Sequence, residues 1–259
     1  MATILMPLPS RDFDPTETGV PWTILEAKGH HVVFATPDGK PGAADPIMVT
    51  GKGLGPLAQM LRANAAGRAA YMAMAQSAAF KSPIKYDDIQ TADFDALLLP
   101  GGHAKGMRPY LESAKLQSVV AEFFTTGKPV GAICHGTLLV ARSKAANGKS
   151  VLHGRRTTGL TRSQELIAWG MTRAWMKDYY RTYSTPLETE IRSLLASPND
   201  FLTGPTAIKR DRPDKLHRGF TVLDGNYLSA RWPGDAHRFG TEFAALVESR
   251  ARSRPASTT

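Results

Sequence analysis

Cys134 is the only cysteine of the chain, and it lies in Val130-Gly131-Ala132-Ile133-Cys134-His135-Gly136, a short apolar run that ends among small residues. This pattern predicts a nucleophile elbow, a sharp strand-to-helix turn at which Gly131, Ala132 and Gly136 leave room to lift one side chain above the end of a sheet. A thiol held there faces the amides that open the next helix, and their partial positive charge favours thiolate over thiol. His135 follows directly, its ring placed to pair with the sulfur and its N–H to hold a developing oxyanion. Pro100-Gly101-Gly102 closes another apolar run and can bring a second bare amide, that of Gly102, toward the same spot. Each piece alone has a plainer reading: a free cysteine is most often a small buried hydrophobe, and Pro-Gly-Gly is a turn. Together they point to a cysteine nucleophile.

The elements needed to position these groups are legible in the alternation of apolar runs and turn signals. Thr3 to Leu8 reads as a strand, Pro9 to Pro15 as a loop, and Glu17 to Lys28 as a helix that stops at Gly29. His31 to Ala35 is a second strand. Ala96 to Leu99 is an unbroken apolar run of the kind a doubly covered parallel strand needs. Leu111 to Thr126 reads as an amphipathic helix, Val130 to Ile133 as the strand into the elbow, and His135 to Lys144 as the helix after it. Phe220 to Leu223 and Tyr227 to Ala230 flank Asp224-Gly225-Asn226, a hairpin signal, and a closing helix runs from about Asp235 to Ser249. The expected class is α/β, a doubly wound, mostly parallel sheet flanked by helices, flavodoxin- or Rossmann-like. One domain over residues 1–249 accommodates this, with insertions near 47–89 and 165–217. The first insertion carries an Ala- and Met-rich helical stretch, Leu57 to Ala79; the second carries Trp169, Met171, Trp175, Met176, Tyr179, Tyr180 and Tyr183. Either they pack on the sheet, or they overhang the elbow as a helical cap that narrows the pocket and excludes water.

With 259 residues, 42% hydrophobic and 21% charged, the composition is that of a soluble globular chain. A single cysteine excludes an intrachain disulfide. Met1 to Pro9 reads as a first strand rather than a signal peptide, and no run of about 18 apolar residues predicts a membrane span. The expected location is the cytoplasm. The net charge of +9 lies largely in Lys209-Arg210-Asp211-Arg212-Pro213-Asp214-Lys215, read as a solvated loop, and in residues 250–259, read as a disordered basic tail. No aromatic-interleaved basic face accompanies it, so no nucleic-acid partner is expected. Gly51, Gly53 and Gly55 do not form a phosphate loop, since no Gly-Lys-Ser/Thr follows. His30, His31, His103, His153 and His217 lack metal-ligand spacing, and neither a metal nor a cofactor is expected.

Leu99-Pro100-Gly101-Gly102-His103 combined with Ala132-Ile133-Cys134-His135-Gly136 resembles the ThiJ/PfpI superfamily, within the class I glutamine-amidotransferase-like fold. Asp14-Pro15-Thr16-Glu17-Thr18-Gly19-Val20-Pro21 and Phe34-Ala35-Thr36-Pro37-Asp38-Gly39 resemble its larger chaperone/glyoxalase III branch. The resemblance spans residues 3 to about 245 and is weakest over Met171 to Ser184 and Ser197 to His217. It implies Cys134 as nucleophile, His135 as the neighbouring acid/base, and Glu17 as a buried carboxylate that shares a proton with the sulfur. Read without the resemblance, Glu17 is equally a first-turn helix residue favoured by the dipole. Thr158 to Glu165 resembles a segment that ends in an acid orienting the histidine, which implies Glu165 as third member of a Cys-His-Glu triad. Its plainer reading is the start of a helix. His237 sits where a glutamine amidotransferase carries its catalytic histidine, but Arg238 and Phe239 follow in place of the expected His-x-Glu, which speaks against glutaminase activity.

The resemblance implies a cofactor-independent enzyme acting on a small-molecule carbonyl, glyoxalase III-like, converting methylglyoxal to lactate. Two alternatives stand beside it. One is hydrolysis by the same nucleophile: amide or peptide cleavage, deglycation, or isonitrile hydration. The other is a stress chaperone or redox sensor with little turnover. A homodimer is implied, with no membrane partner.

Overall fold

The computed structural model describes residues 1–206 and 209–253. Its strands are β1 (Thr3–Pro7), β2 (Arg11–Phe13), β3 (His31–Thr36), β4 (Ala43–Ala44), β5 (Ile84–Lys85), β6 (Ala96–Leu99), β7 (Val130–Ile133), β8 (Thr221–Asp224) and β9 (Tyr227–Ala230). Seven of these form one sheet in the order β5-β3-β1-β6-β7-β9-β8. Every pairing in it is parallel except that of β8 with β9, the hairpin at the edge. The helices are α1 (Pro15–Ala27), α2 (Pro46–Thr50), α3 (Ala58–Leu61), α4 (Ala65–Gln76), α5 (Ala78–Lys81), α6 (Arg108–Leu111), α7 (Ala114–Thr126), α8 (Gly136–Arg142), α9 (Arg162–Met176), α10 (Leu187–Leu194) and α11 (Ala236–Ser253). This is the doubly wound, mostly parallel α/β class.

The central strands β6 and β7 are buried at every position because helices cover both faces, so their sequences are unbroken apolar runs rather than alternating ones. Burying one such Leu, Ile or Val side chain contributes about 1.5–3 kcal/mol. Gly131 in β7 serves this packing and not the turn: a Cβ there would lie 2.7 Å from the Phe243 ring of α11. Gly136 lets α8 approach the end of β6, since a Cβ would meet the Leu99 carbonyl oxygen at 2.1 Å.

Several boundaries differ from expectation, for local reasons. The loop Pro9–Pro15 contains β2, which pairs with β4. The stretch from Leu57 to Ala79 is not one helix: Asn64 and Ser77 each cap a new one through a side-chain oxygen. Ser113 likewise caps α7 and separates it from α6. The tail does not begin at Arg250, because α11 continues to Ser253; residues 254–259 lie outside the described residues. Nor is Lys209–Lys215 simply a solvated loop, since Asp211 is buried and Arg210 lines a pocket.

The two insertions pack on each other. Met48 and Leu54 from the first and Tyr180 from the second form a small apolar cluster apart from the main core, joined by Leu61, Ala168 and Trp169. Polar ties reinforce it: Trp175 Nε1 donates to the Gly53 carbonyl at 2.9 Å, and the Tyr179 hydroxyl donates to Asp45, the cap of α2. The same insertions roof the carboxyl end of β7, where Met48, Leu61, Ala168 and Tyr180 share a pocket wall with Cys134. They form the cap.

Candidate active site

Three elements converge on the sulfur. Cys134 follows directly on β7 with φ of +55°, a left-handed conformation that costs a non-glycine residue roughly 1–3 kcal/mol and persists only where the surroundings impose it. That imposed turn directs the thiol into the pocket. From the second element, α1, comes Glu17. Asp14 caps this helix, its Oδ1 accepting from the amides of Thr16 at 2.7 Å and Glu17 at 3.0 Å. The Asp14 amide in turn donates to the Gly101 carbonyl at 2.9 Å, which ties the start of α1 to the end of β6. The Glu17 carboxyl is fully buried and faces the Cys134 thiol and the Gly101 amide. A Cβ on Gly101 would lie 2.6 Å from the carboxyl oxygen and 2.7 Å from the His135 amide nitrogen. Only glycine fits between the acid and the elbow.

His135, the third element, is fixed at both ring nitrogens. Nδ1 lies 3.5 Å from Cys134 Sγ, and Nε2 lies 3.0 Å from the Thr182 hydroxyl. That hydroxyl donates its proton to the His103 carbonyl, so toward His135 it can only accept. Nε2 therefore carries the imidazole proton, and Nδ1 turns a lone pair to the thiol. Thr182 is itself clamped, its carbonyl accepting from Arg108 Nε and Nη2 at 2.8 and 2.6 Å.

Burial sets the protonation states. It raises the Glu17 carboxyl well above the ordinary carboxylate range, and the neighbouring Asp14 adds to the rise. Burial also raises the Cys134 thiol, and Glu17 and Asp14 raise it further against the opposing pull of the His135 amide. The His135 imidazole is pushed down to about 3, first by burial and then by His103 and Arg142. Burial thus acts in one direction on all three groups, favouring the uncharged forms of the Glu17 carboxyl, the Cys134 thiol and the His135 imidazole. Desolvation, Glu17 and Asp14 oppose the thiolate that the helix amides were expected to favour, while the His135 amide supports it.

A pocket of about 310 Å3 opens onto this group, lined by Asp14, Glu17, Gly102, Cys134, Glu165 and Arg210 among others. Among the described residues, no three His, Cys, Asp or Glu side chains gather in a cluster that could hold a metal ion.

The model of the family described as ThiJ/PfpI family-like matches residues 8–205. The chain belongs to the ThiJ/PfpI-like family. Among its relatives, the chain is 24% identical over 242 residues to a protein named deglycase PfpI from Pyrococcus furiosus, covering 93% of this chain and 97% of the relative. It is 34% identical over 84 residues to a glutathione-independent glyoxalase of Schizosaccharomyces pombe, covering 31% of this chain and 35% of that one. A solved structure of glyoxalase III from Candida albicans superposes with a TM-score of 0.66 at 19% identity, covering 95% of this chain and 97% of that one. That last likeness is one of fold.

Against this ThiJ/PfpI frame, the structure brings Cys134, His135 and Glu17 together. Gly102 lines the pocket, whereas the Gly101 amide is turned onto Glu17. Glu165 is corrected as the partner of His135. It also lines the pocket, but its carboxylate pairs with Arg181 Nε at 3.1 Å and accepts from the Leu187 amide at 3.0 Å, anchoring the start of α10. Thr182 occupies the orienting position instead. His237 stands at the start of α11 and takes no part in the pocket wall. Sequence reasoning missed Thr182 and Arg210, and no local signal marks either. Thr182 lies where the family resemblance is weakest, and Arg210 is one basic residue in a basic run.

Proposed function

We propose that the protein is a cofactor-independent cysteine enzyme acting on small reactive carbonyls, converting a 2-oxoaldehyde such as methylglyoxal to a 2-hydroxy acid. The observation that carries this is geometric: the Cys134 thiol lies between the buried Glu17 carboxyl and His135 Nδ1, 3.5 Å from the sulfur. Carbonyl addition needs a proton donor and a proton acceptor at once. As Sγ adds to the aldehyde carbon, the thiol proton passes to His135 Nδ1 and the aldehyde oxygen takes the Glu17 proton, giving a hemithioacetal. The Glu17 carboxylate then removes the hydrogen on that carbon while protonated His135 delivers its proton to the ketone oxygen, which yields an enediol. Return of the Glu17 proton to the second carbon, with loss of the first hydroxyl proton to His135, gives the thioester. Water adds to it, losing a proton to Glu17, while the departing sulfur recovers one from His135. The 2-hydroxy acid leaves and the site is restored. The amides of His135 and Gly102 serve the developing oxyanion, a role worth about 10²–10³ in rate per donor.

A hydrolytic reading uses the same thiol to remove a carbonyl adduct from an amine or thiol. The name of the Pyrococcus relative favours it, and the pocket supports it too. At about 310 Å3 it has room for something larger than methylglyoxal, which is the size of two or three waters at roughly 30 Å3 each. The test is a direct assay of lactate from methylglyoxal, beside release of free amine from its adduct, in the wild type and in Cys134→Ser. Lactate formed by the wild type and lost in the variant supports the first reading. A wild type that releases amine but no lactate selects the second, and full lactate formation by folded Cys134→Ser overturns the mechanism.

A further inference from the structure

Three side-chain donors on the pocket wall lack an acceptor. Arg210 lines the pocket, its guanidinium 5.4 Å over the Trp232 ring and its Nη2 donating to the Arg62 carbonyl at 3.2 Å. Its Nη1 is buried and has no hydrogen-bond partner among the described residues. Gln164 and Trp232 line the same pocket, and Gln164 Nε2 and Trp232 Nε1 are likewise buried without partners. The orientation of Gln164 is fixed, because its Oε1 accepts from the Thr161 amide in the capping box of α9, so the NH2 end faces the other way. Guanidinium, amide NH2 and indole N–H donate and cannot accept.

Asp14, Glu17 and Asp211 offset part of the Arg210 charge, but none accepts a hydrogen bond from these donors. Asp14 spends its Oδ1 on the cap of α1, Glu165 is held by Arg181 and the Leu187 amide, and Glu17 faces the thiol. Among the described residues Arg210 makes no ion pair within 4.0 Å. A buried cation whose donors are unmatched is costly unless something supplies the acceptor.

We infer that Arg210, Gln164 and Trp232 form a carboxylate subsite, so that the carbonyl substrate of this pocket is itself a monoanion, an aldehyde or 2-oxoaldehyde bearing a carboxylate group. A guanidinium fork with two neutral donors matches the two oxygens of a carboxylate. Asp14, close enough to bear on the Arg210 charge, disfavours a phosphate dianion in the same place. This deepens the proposed function, resting on its assignment of the pocket and thiol, and it specifies the substrate class.

The test uses matched charged and neutral probes. Pyruvate and its neutral isostere pyruvamide are titrated calorimetrically into Cys134→Ala, which cannot react. Pyruvate is expected to bind at least tenfold more tightly, and the preference to vanish when Arg210→Gln is added. Gln164→Glu keeps an oxygen for the capping box but places a negative acceptor in the subsite, and is expected to abolish the preference without disturbing the fold. In parallel, Cys134 alkylation by iodoacetate and iodoacetamide is followed by mass spectrometry. Relative to glutathione at the same pH, the wild type is expected to favour iodoacetate at least tenfold and Arg210→Gln to lose that bias. Equal binding of the two isosteres by the wild-type subsite, or an unchanged preference in folded Gln164→Glu, overturns the inference. If Cys134 reacts with neither reagent, the burial that raises its thiol accounts for that, the lactate assay decides the thiol chemistry, and the calorimetry decides the subsite.

Discussion

Replacing Thr182 with valine tests whether a hydroxyl, rather than a carboxylate, sets the state of His135. The side chain is 1% exposed, and valine keeps its branched shape, so no cavity forms. What disappears is the acceptor 3.0 Å from His135 Nε2 and the donor to the His103 carbonyl. Leaving one buried N–H unsatisfied costs about 1–3 kcal/mol. The imidazole can relieve this by moving its proton to Nδ1, but it then turns a donor toward the sulfur and can no longer accept the thiol proton. If that cost is felt in the transition state, kcat/KM falls roughly 5- to 150-fold. Thr182 is not among the residues lining the pocket, so the loss belongs in kcat and KM stays near its wild-type value. The assay is steady-state lactate formation beside ¹⁵N shifts of His135, which report an Nε2–H tautomer in the wild type and a shift toward Nδ1–H in the variant. Thr182→Ser, which keeps the hydroxyl, restores both. A Thr182→Val protein within twofold of wild type in kcat/KM, with an unchanged ¹⁵N signature, refutes the reasoning.

Three further outcomes are expected. His135, pushed down to about 3, stays neutral from pH 8 to about pH 4 in an NMR titration, and a midpoint near 6.5 contradicts the buried, Thr182-bound ring. Because the unfolded imidazole takes its proton near pH 6.5, this residue's contribution to stability is full above that value and falls by about 1.4 kcal/mol per pH unit between 6.5 and 3. Variants at His135 show a shallower acid limb in pH-dependent unfolding. Glu17→Gln preserves the shape of the buried carboxyl but supplies no proton, so kcat falls about 10²–10⁴-fold with an unchanged circular dichroism spectrum; activity within tenfold of wild type removes Glu17 from the chemistry. Glu165→Gln loses the ion pair with Arg181 and weakens the hold on the Leu187 amide that anchors α10, lowering stability by about 1–3 kcal/mol in denaturant titration while kcat holds within about threefold. A hundredfold loss of kcat at full stability reinstates Glu165 as a participant.

The fold was readable where sequence period and burial coincide. β6 and β7 begin and end where their apolar runs do, and the hairpin of β8 and β9 turns at Gly225 with φ of +62°, as its turn residues demand. The elbow was readable for the same reason, since Cys134, His135, Gly101 and Gly136 are local in two short motifs. The protonation state was not, because it depends on how completely Glu17, Asp14 and Cys134 are desolvated, a property of packing from distant segments. Thr182 was invisible on similar grounds: its role arises from a loop after α9 that folds back over the elbow, and nothing in Arg181-Thr182-Tyr183 announces it. Arg210 was misread because a run of basic residues usually lies in solvent, whereas the stack on Trp232 draws this one inward.

Under the proposed mechanism, a sulfur whose burial favours the S–H form until a neighbouring base accepts its hydrogen has a consequence between turnovers. Peroxides and stray electrophiles attack the anion, not the S–H form, and burial of Cys134 disfavours that anion. In that mechanism the reactive species forms chiefly while a carbonyl sits in place to consume it. A site of that kind would be exposed to oxidising by-products of metabolism only as long as each turnover lasts.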